Sequence, residues 1–405
     1  MINKNNLSVF LPTKNRPKFL LTCLKSFFDL NLKKSQIIVI DEDSSVEEIL
    51  NNELVSVEKV INKFKGKNLI YKKVNLGTSL LDKLKIYLKN SINYNYFSIM
   101  SDDDFFLKNE GIKKCIELLN KDKSISYAVT SSYMFQDHPT KWVRNFNIPY
   151  NITSGGDFLK NFINIGNLQH STATGIFRLK HIKKNNAFAA LYKITRNKLN
   201  EGYGIDTRLY FRNATCGKIA CLGKYQTRAI RFHHSGMTFN SPVESAYVYY
   251  WNITENIEYC RNNKININEF KKYISYWLKN LLTSHIISTF LNSKKDKKEV
   301  LICKENNMDF ISYIKKQFKK YQITIDKEHN FYFKLNYFIN LLPKWIFIKK
   351  KNEHYIPKNY YQFLMRLFPF YFIITFPIEL IKKIIKKIKN ILITFVMIVR
   401  SLKNN

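Results

Sequence analysis

An α/β fold, built on an open and mostly parallel sheet covered on both faces, is predicted by three observations on this chain of 405 residues. Its composition, 45% hydrophobic and 24% charged, is that of a globular protein with a sizeable core. Over the first 130 residues, short apolar runs alternate with stretches of helical spacing, as strands joined by helical crossovers do. Three of the apolar runs end in polar strings, Pro12–Arg16, Asp41–Ser45 and Ser101–Asp104. In such sheets ligands bind beyond the carboxyl ends of the strands.

The elements follow in order. Leu7–Leu11 reads as a buried strand. Pro17–Leu30 reads as a helix with Pro in its first turn and Phe19, Leu20, Cys23, Leu24, Phe27 and Phe28 at helical spacing. Gln36–Ile40, Leu69–Val74, Tyr96–Met100 and Ile125–Thr130 are the next strands, with helices expected over Val46–Phe64, Ser79–Lys89 and Lys108–Asn120. From Gln136 to Phe239 the pattern is mixed. It holds a loop with Gly155 and Gly156, a short helix, a Ser/Thr-rich strand over His170–Arg178, a further helix, the segment Glu201–Arg212, and two short strands leading to His233-His234. Beyond Pro242 the chain reads as helices rich in Tyr, Trp and Lys. The expected division is a catalytic domain over 1–240, a helical accessory region over 241–360 and a tail over 361–405, with no Gly/Ser linker at the first border.

Lys and Arg number 66 against 31 Asp and Glu, a net charge of +35. The excess calls for an anionic partner, although the abundance of Lys, Asn and Ile makes part of it compositional background. Disorder, collagen and a small disulfide scaffold are excluded. Cys23, Cys115, Cys216, Cys221, Cys260 and Cys303 are scattered and form no CxxC, so neither a zinc cluster nor a disulfide framework is expected. Met1–Phe10 has no long apolar core, and the catalytic part is expected in a reducing compartment. In the tail, Leu367–Ile378 and Ile391–Val399 are uncharged but too short to span a bilayer of about 18–20 residues. Between them, Ile381, Ile384, Ile385, Ile388 and Leu392 take one helical face, and Lys382, Lys383, Lys386, Lys387 and Lys389 largely the other. A basic amphipathic helix with apolar flanks fits an anchor on an anionic membrane surface.

Asp102, Asp103 and Asp104 close the YFSIM strand directly. Three adjacent carboxylates repel one another unless a cation sits among them, and oxygen ligands suit Mg²⁺ or Mn²⁺, which also hold substrate phosphates. Four strings in order, LSVFLPTKNRPKFLLTCLKSF, QIIVIDEDSSVEE, VNLGTS and YFSIMSDDDFF, give the chain, over about 1–235, a resemblance to the family 2 glycosyltransferases. The resemblance implies the GT-A nucleotide-diphospho-sugar transferase fold and a metal-dependent, inverting transfer of a sugar to an acceptor hydroxyl. It implies a nucleotide-sugar site lined by Thr13, Asn15 and Arg16 of the PT-x-NR loop, by Asp41 and Glu42, by Asn75 and Gly77, and by Asp102 and Asp103. Glu42 departs from the family's usual Asp at the position set against the base. The resemblance also implies a metal site of Asp104 with Asp102 and one of His233 and His234. Asp206, in GIDTRL, matches the second acid of the motif that supplies the catalytic base, with Glu201 as fallback; the first acid is Ile205 here. Thr174–Arg178 resembles the strand before the acceptor side. His170, Arg228 and Arg231 have weaker cases.

The implied partners are a UDP-sugar by default, a surface-glycan or lipid-linked glycan acceptor such as a capsule or lipooligosaccharide precursor, and a membrane surface. The implied place is the cytoplasm, peripheral on the inner face of a bacterial cytoplasmic membrane. A nucleic-acid-binding protein is the reading from another class. The basic residues are spread along the chain and no RRM, zinc-finger or homeodomain string appears, so no nucleic-acid partner is expected. A dinucleotide-dependent dehydrogenase is disfavoured because the first strand leads into PTKNRP rather than GxGxxG. A nucleotidyltransferase of the same fold would show a Gly-rich, basic opening loop, and none is seen.

Overall fold

The computed structural model describes residues 7–136, 142–165, 174–184, 205–232, 246–290, 297–320, 330, 333 and 334. They fall into two compact units, one from residues 1–233 and 246–281, the other from 234–245 and 282–405.

The first unit is organised by a ten-stranded sheet. Strands β1 (Leu7–Thr13), β2 (Gln36–Glu42), β5 (Leu69–Val74) and β6 (Tyr96–Ile99) form its parallel part in the order β5-β2-β1-β6. In β1 and β2 the apolar runs are continuous because both faces are covered: Val9, Leu11, Ile37, Ile38, Val39 and Ile40 are all at 0% exposure, whereas the edge strand β5 is half-exposed. Beyond β6 lies β11 (Ile176–Arg178), antiparallel to both neighbours, then β8 (Ile125–Gln136), β12 (Lys218–Phe232) and the edge strand β10 (Tyr150–Ser154). The two-residue β7 (Phe105–Phe106) pairs with β12, and β9 (Trp142–Phe146) with β8. β12 replaces the two short strands expected, as one strand parallel to β8 with irregular register between Leu222 and Arg228.

Helices α1 (Pro17–Asp29), α3 (Leu80–Asn90) and α4 (Asn109–Lys121) cover the sheet where the spacing predicts them. α1 buries Leu20, Cys23, Leu24 and Phe27, and α4 buries Ile112, Cys115, Ile116 and Leu119. Val46–Phe64 is not one helix. It forms a hairpin of β3 (Glu48–Leu50) and β4 (Glu53–Val55), then a short α2 (Val57–Asn62). The reason is local: Asn51 and Asn52 take φ of 51° and 64°, the left-handed pair that a two-residue hairpin turn needs and that Asn tolerates. Ser56 then caps α2 by accepting from the Lys59 N–H.

Of His170–Arg178, residues 170–173 lie outside the described residues and the strand is Ile176–Arg178. Arg178 is buried and ties β11 to the end of α4, donating from Nε to Ile125 O at 2.6 Å and from Nη2 to Asp122 O at 2.7 Å. Short helices α5 (Gly155–Ile165) and α6 (Leu179–Lys184) precede α7 (Ile205–Ala214). α8 (Ala246–Asn262) packs on α7 around a fully buried ion pair, Arg212 to Glu255 at 3.3 Å. The Arg208 and Arg212 guanidiniums lie over the Trp251 and Tyr259 rings at 4.6 and 4.9 Å. A 3₁₀ turn (Ile267–Phe270) leads into α9 (Lys271–Phe290), whose Tyr273 stacks on Phe211 of α7. In the second unit, α11 (Phe310–Lys320), which follows α10 (Lys297–Asn306), buries Phe310, Ile311, Ile314 and Phe318. His285 stacks on Phe310 at 6.0 Å. Among the described residues no helix is long and apolar enough to cross a membrane, and the tail 361–405 lies outside them.

Gly155 opens α5 against the last residue of α7: a Cβ there would fall on the Ala214 carbonyl. Gly155→Ala is therefore expected to lower stability by about 1–3 kcal/mol through overpacking, read as an earlier urea midpoint at unchanged slope.

Candidate active site

The carboxyl ends of β1, β2 and β6 meet side by side. Thr13, the last residue of β1, donates from Oγ1 to Asp102 Oδ2 at 2.8 Å. Asp102 is 4% and Asp104 6% exposed. Arg16, just before α1, reaches across with Nη1, 3.4 Å from Asp102 Oδ1 and 3.1 Å from Asp103 Oδ2. Asp104 turns the other way, and its Oδ1 accepts from the Arg231 backbone N–H at 2.9 Å.

Burial, then the neighbouring Asp103, pushes the Asp102 carboxyl up to about 6, against the pull of Thr13 and Arg16. Burial and Asp103 likewise hold Asp104 well above the ordinary carboxylate range. Two further guanidiniums frame the cluster. Arg228 is buried and bonds the end of β6 through Ile99 O and Ser98 Oγ (2.6 Å), with its charge near Asp104. Arg231 donates from Nε to Asp103 O at 3.2 Å and lies between the rings of Phe19 and Phe135, 4.7 Å from each. From below, the buried Cys23 thiol points at Ser101 O (3.7 Å); burial first, then the aspartates, raise its pKa well above the usual thiol value. It is an inert floor, not a nucleophile.

A second cluster forms at the end of β2. Glu42 Oε1 accepts from Lys14 Nζ at 2.8 Å and from the Gly77 N–H at 3.0 Å, and Oε2 accepts from Lys83 Nζ on α3. Although partial burial opposes it, these donors lower the Glu42 carboxyl to about 2. Gly77 holds φ at +81°, which turns its amide toward the acid. Asp41 is fully buried and serves its own loop. Its Oδ1 accepts from Ser44 N–H and Oγ, and its Oδ2 accepts from Tyr71 OH at 2.8 Å. Asn15, at φ +55°, pins the β1 loop to the β2 loop: its Oδ1 accepts from the Ser45 and Val46 N–H groups. The Asn75 carbonyl closes the turn before α3 by accepting from Thr78 N–H and Oγ1.

Thr13, Arg16, Asp102 and Asp103 thus come together, with Asp104 beside them turned to the Arg231 amide, and Glu42 meets Gly77 at a neighbouring point. Asp206 is the second residue of α7, in its first turn. Glu201, His170, His233 and His234 lie outside the described residues. Lys14 and Lys83 were not anticipated. The signal for Lys83 is its place on the apolar stripe of α3, four residues before the buried Tyr87; its side chain is 8% exposed. A cation on such a stripe calls for a buried acid.

The donor chemistry suits a divalent ion: hard carboxylate oxygens, buried, raised in pKa by burial and by each other. Among the described residues no three acid, imidazole or thiol groups converge on one point. The carboxylates part because Arg16 draws Asp102 and Asp103 one way and the Arg231 amide draws Asp104 another.

Residues 8–184 match the family described as glycosyl transferase family 2. The crystal structure of S. aureus TarS 1–349 in complex with UDP is similar, with a TM-score of 0.55 at 14% identity, covering 83% of this chain and 87% of that one. TarS 1–349 from the same organism in complex with UDP-GlcNAc gives a TM-score of 0.47 at 13% identity, over 78% and 92% of the two chains. At 14% identity the likeness to the UDP complex is one of fold. No curated protein matches the chain.

The depressed Glu42 pKa fixes a sign. A carboxyl at about 2 when folded and near 4.5 when unfolded adds stability above pH 4.5, and that stability is lost as the pH falls toward 2. Glu42→Gln should cost on the order of 2 kcal/mol at neutral pH through its lost charged hydrogen bonds. Its deficit against the wild type should shrink between pH 4.5 and 2 in urea titrations.

Proposed function

We propose a donor, an ion and a proton acceptor for a chain that belongs, through residues 8–184, to glycosyl transferase family 2. The reading is of a glycosyltransferase that moves a sugar from a nucleotide diphosphate, with UDP as the default, to an acceptor hydroxyl with inversion at the anomeric carbon. The observation that carries it is the buried Asp102–Asp104 cluster joined through Thr13 to the end of β1, in the crevice where α/β sheets bind ligands. The UDP complex of a fold neighbour is consistent with the choice of nucleotide.

In this reading Asp104 and Asp102, with one of His233 and His234, would hold Mn²⁺ or Mg²⁺, which would supply positive charge against a departing diphosphate. Thr13 fixes the Asp102 carboxylate, and the Arg231 amide fixes that of Asp104. Asn15, Asp41 and Asn75 hold the loops that shape the nucleotide crevice. Glu42, with Lys14, Lys83 and Gly77 around it, lines the base end. Asp206, in the first turn of α7, takes the proton of the acceptor hydroxyl as its oxygen attacks, with Glu201 as fallback. The acceptor is a surface glycan or its lipid-linked precursor. The basic, apolar-flanked tail 361–405 would keep the enzyme on the inner face of the cytoplasmic membrane.

Asp104→Ala is expected to abolish Mn²⁺- or Mg²⁺-dependent release of UDP from a UDP-sugar, and retained turnover would overturn the ion's placement. Asp206→Asn should lower transfer by about a hundredfold or more, while the melting shift with UDP stays intact. Deleting 367–405 should move the protein from the membrane to the soluble fraction; unchanged partitioning removes the anchor.

A further inference from the structure

At the end of β2 opposite Glu42, the loop from α1 to β2 and one flank of α4 form a groove of about 780 Å³, within the size range of small-ligand sites. The length of β2 sets it apart from the acidic crevice by about 20 Å, at the rise of a strand. Its α4 wall is a single helical face, with Asn109, Lys113, Ile116 and Glu117 at spacings of three and four. The loop wall is held in a set shape. Asn31 and Lys34 take φ of 47° and 61°, and Asn109 Nδ2 fastens the loop to α4 by donating to Leu30 O at 2.8 Å. Lys33, Lys113 and Lys121 stand exposed along the groove, and among the described residues none of their ammoniums has an ion pair or hydrogen bond. The one acid of the lining, Glu117, is answered by Lys114 at 2.8 Å. The positive charge of the groove is therefore open to an anion.

We propose that this groove is a second binding site, which takes a sugar chain bearing anionic groups. The lysines meet the anionic groups. The Asn31 amide and Asn109 Oδ1, neither with a bond to the described residues, meet hydroxyls. Leu32 and Ile116 supply apolar surface for the C–H faces of the rings. A bare anion would leave the amides and the apolar surface unused, and an uncharged sugar would leave the lysines unused. A single-stranded nucleic acid would need aromatic rings for its bases to stack on, and the lining has none. So far from the aspartates, the groove holds the body of a chain and does no chemistry on it. That the chain held there is the acceptor rests on the transfer reading above; its binding does not.

The test is binding of a short fluorescent oligogalacturonate, a sugar chain with carboxylates, to the full-length protein, read by anisotropy. Lys33→Gln/Lys113→Gln/Lys121→Gln is expected to bind it about thirtyfold more weakly than the wild type, the scale of three exposed ion pairs. An uncharged maltooligosaccharide of the same length should bind the wild type about thirtyfold more weakly, since the same contacts are lost. The control Lys63→Gln/Lys65→Gln/Lys67→Gln removes equal charge from exposed positions outside the groove and should bind as the wild type does. Asn31→Asp sets an acid in the anion's path at a positive φ that Asp tolerates, and should weaken binding about fivefold; it also serves should the triple variant not fold. No binding by the wild type, or an equal loss in both triple variants, overturns the site. Displacement of the sugar chain by equimolar inorganic tripolyphosphate overturns the saccharide. The melting shift with UDP is measured beside these. Its absence from a wild type that binds the sugar chain through Lys33, Lys113 and Lys121 removes the nucleotide-sugar reading and leaves the groove standing.

Discussion

Burying a carboxylate at the end of a parallel strand is costly, and the first unit is arranged around meeting that cost at Asp102. The hydroxyl of Thr13 does the local part by bonding Asp102 across the β1–β6 pair. Because that pair is parallel, both strands deliver their last residues to the same edge, so a side chain at one tip can serve the other. α1 then brings Arg16 over the cluster and Cys23 beneath it. The register Leu7↔Tyr96 to Phe10↔Ile99 therefore fixes more than a core: it fixes which tips can share a ligand.

The high positive charge of the chain takes a specific form here. Three arginines, Arg16, Arg228 and Arg231, surround three aspartates, and two lysines, Lys14 and Lys83, hold one glutamate. Arg228 and Lys83 are buried beside these acids, while Lys14 and Arg16 reach them from partly exposed positions.

What could be read from residues alone was whatever is encoded in consecutive positions. Continuous apolar runs mark β1 and β2, shorter ones mark β6 and the start of the half-exposed β5, and the DDD string marks the acidic tip, since each carries its signal within a few residues. Val46–Phe64 misled because Val46, Leu50, Leu54, Val57 and Ile61 keep near-helical spacing through a hairpin. The competing signal, two adjacent asparagines free to adopt positive φ, was present but outweighed. The partners of the acids were harder. Arg231 meets Asp104 from 127 residues away, and only the pairing of β7 with β12 brings them together. Asn15 and Asp41 stand out as letters, and in space their side chains also bond backbone amides, the Ser44 hydroxyl and a tyrosine, partners that no local string reveals.

β12 starts well after residue 184, where the family match ends, yet it completes the acidic tip. Its Thr227 carbonyl accepts from the Leu107 amide, its Arg228 secures β6, and its Arg231 amide orients Asp104. The strands that carry the acidic tip and the chain beyond the family match are thus sewn together by one fifteen-residue strand. Exchange of downstream segments between related enzymes, whether by recombination or in the laboratory, can alter length freely only where this seam keeps its register. A graft that shifts β12 by one residue would present the opposite face of the strand to the aspartates and disarm an otherwise intact front half.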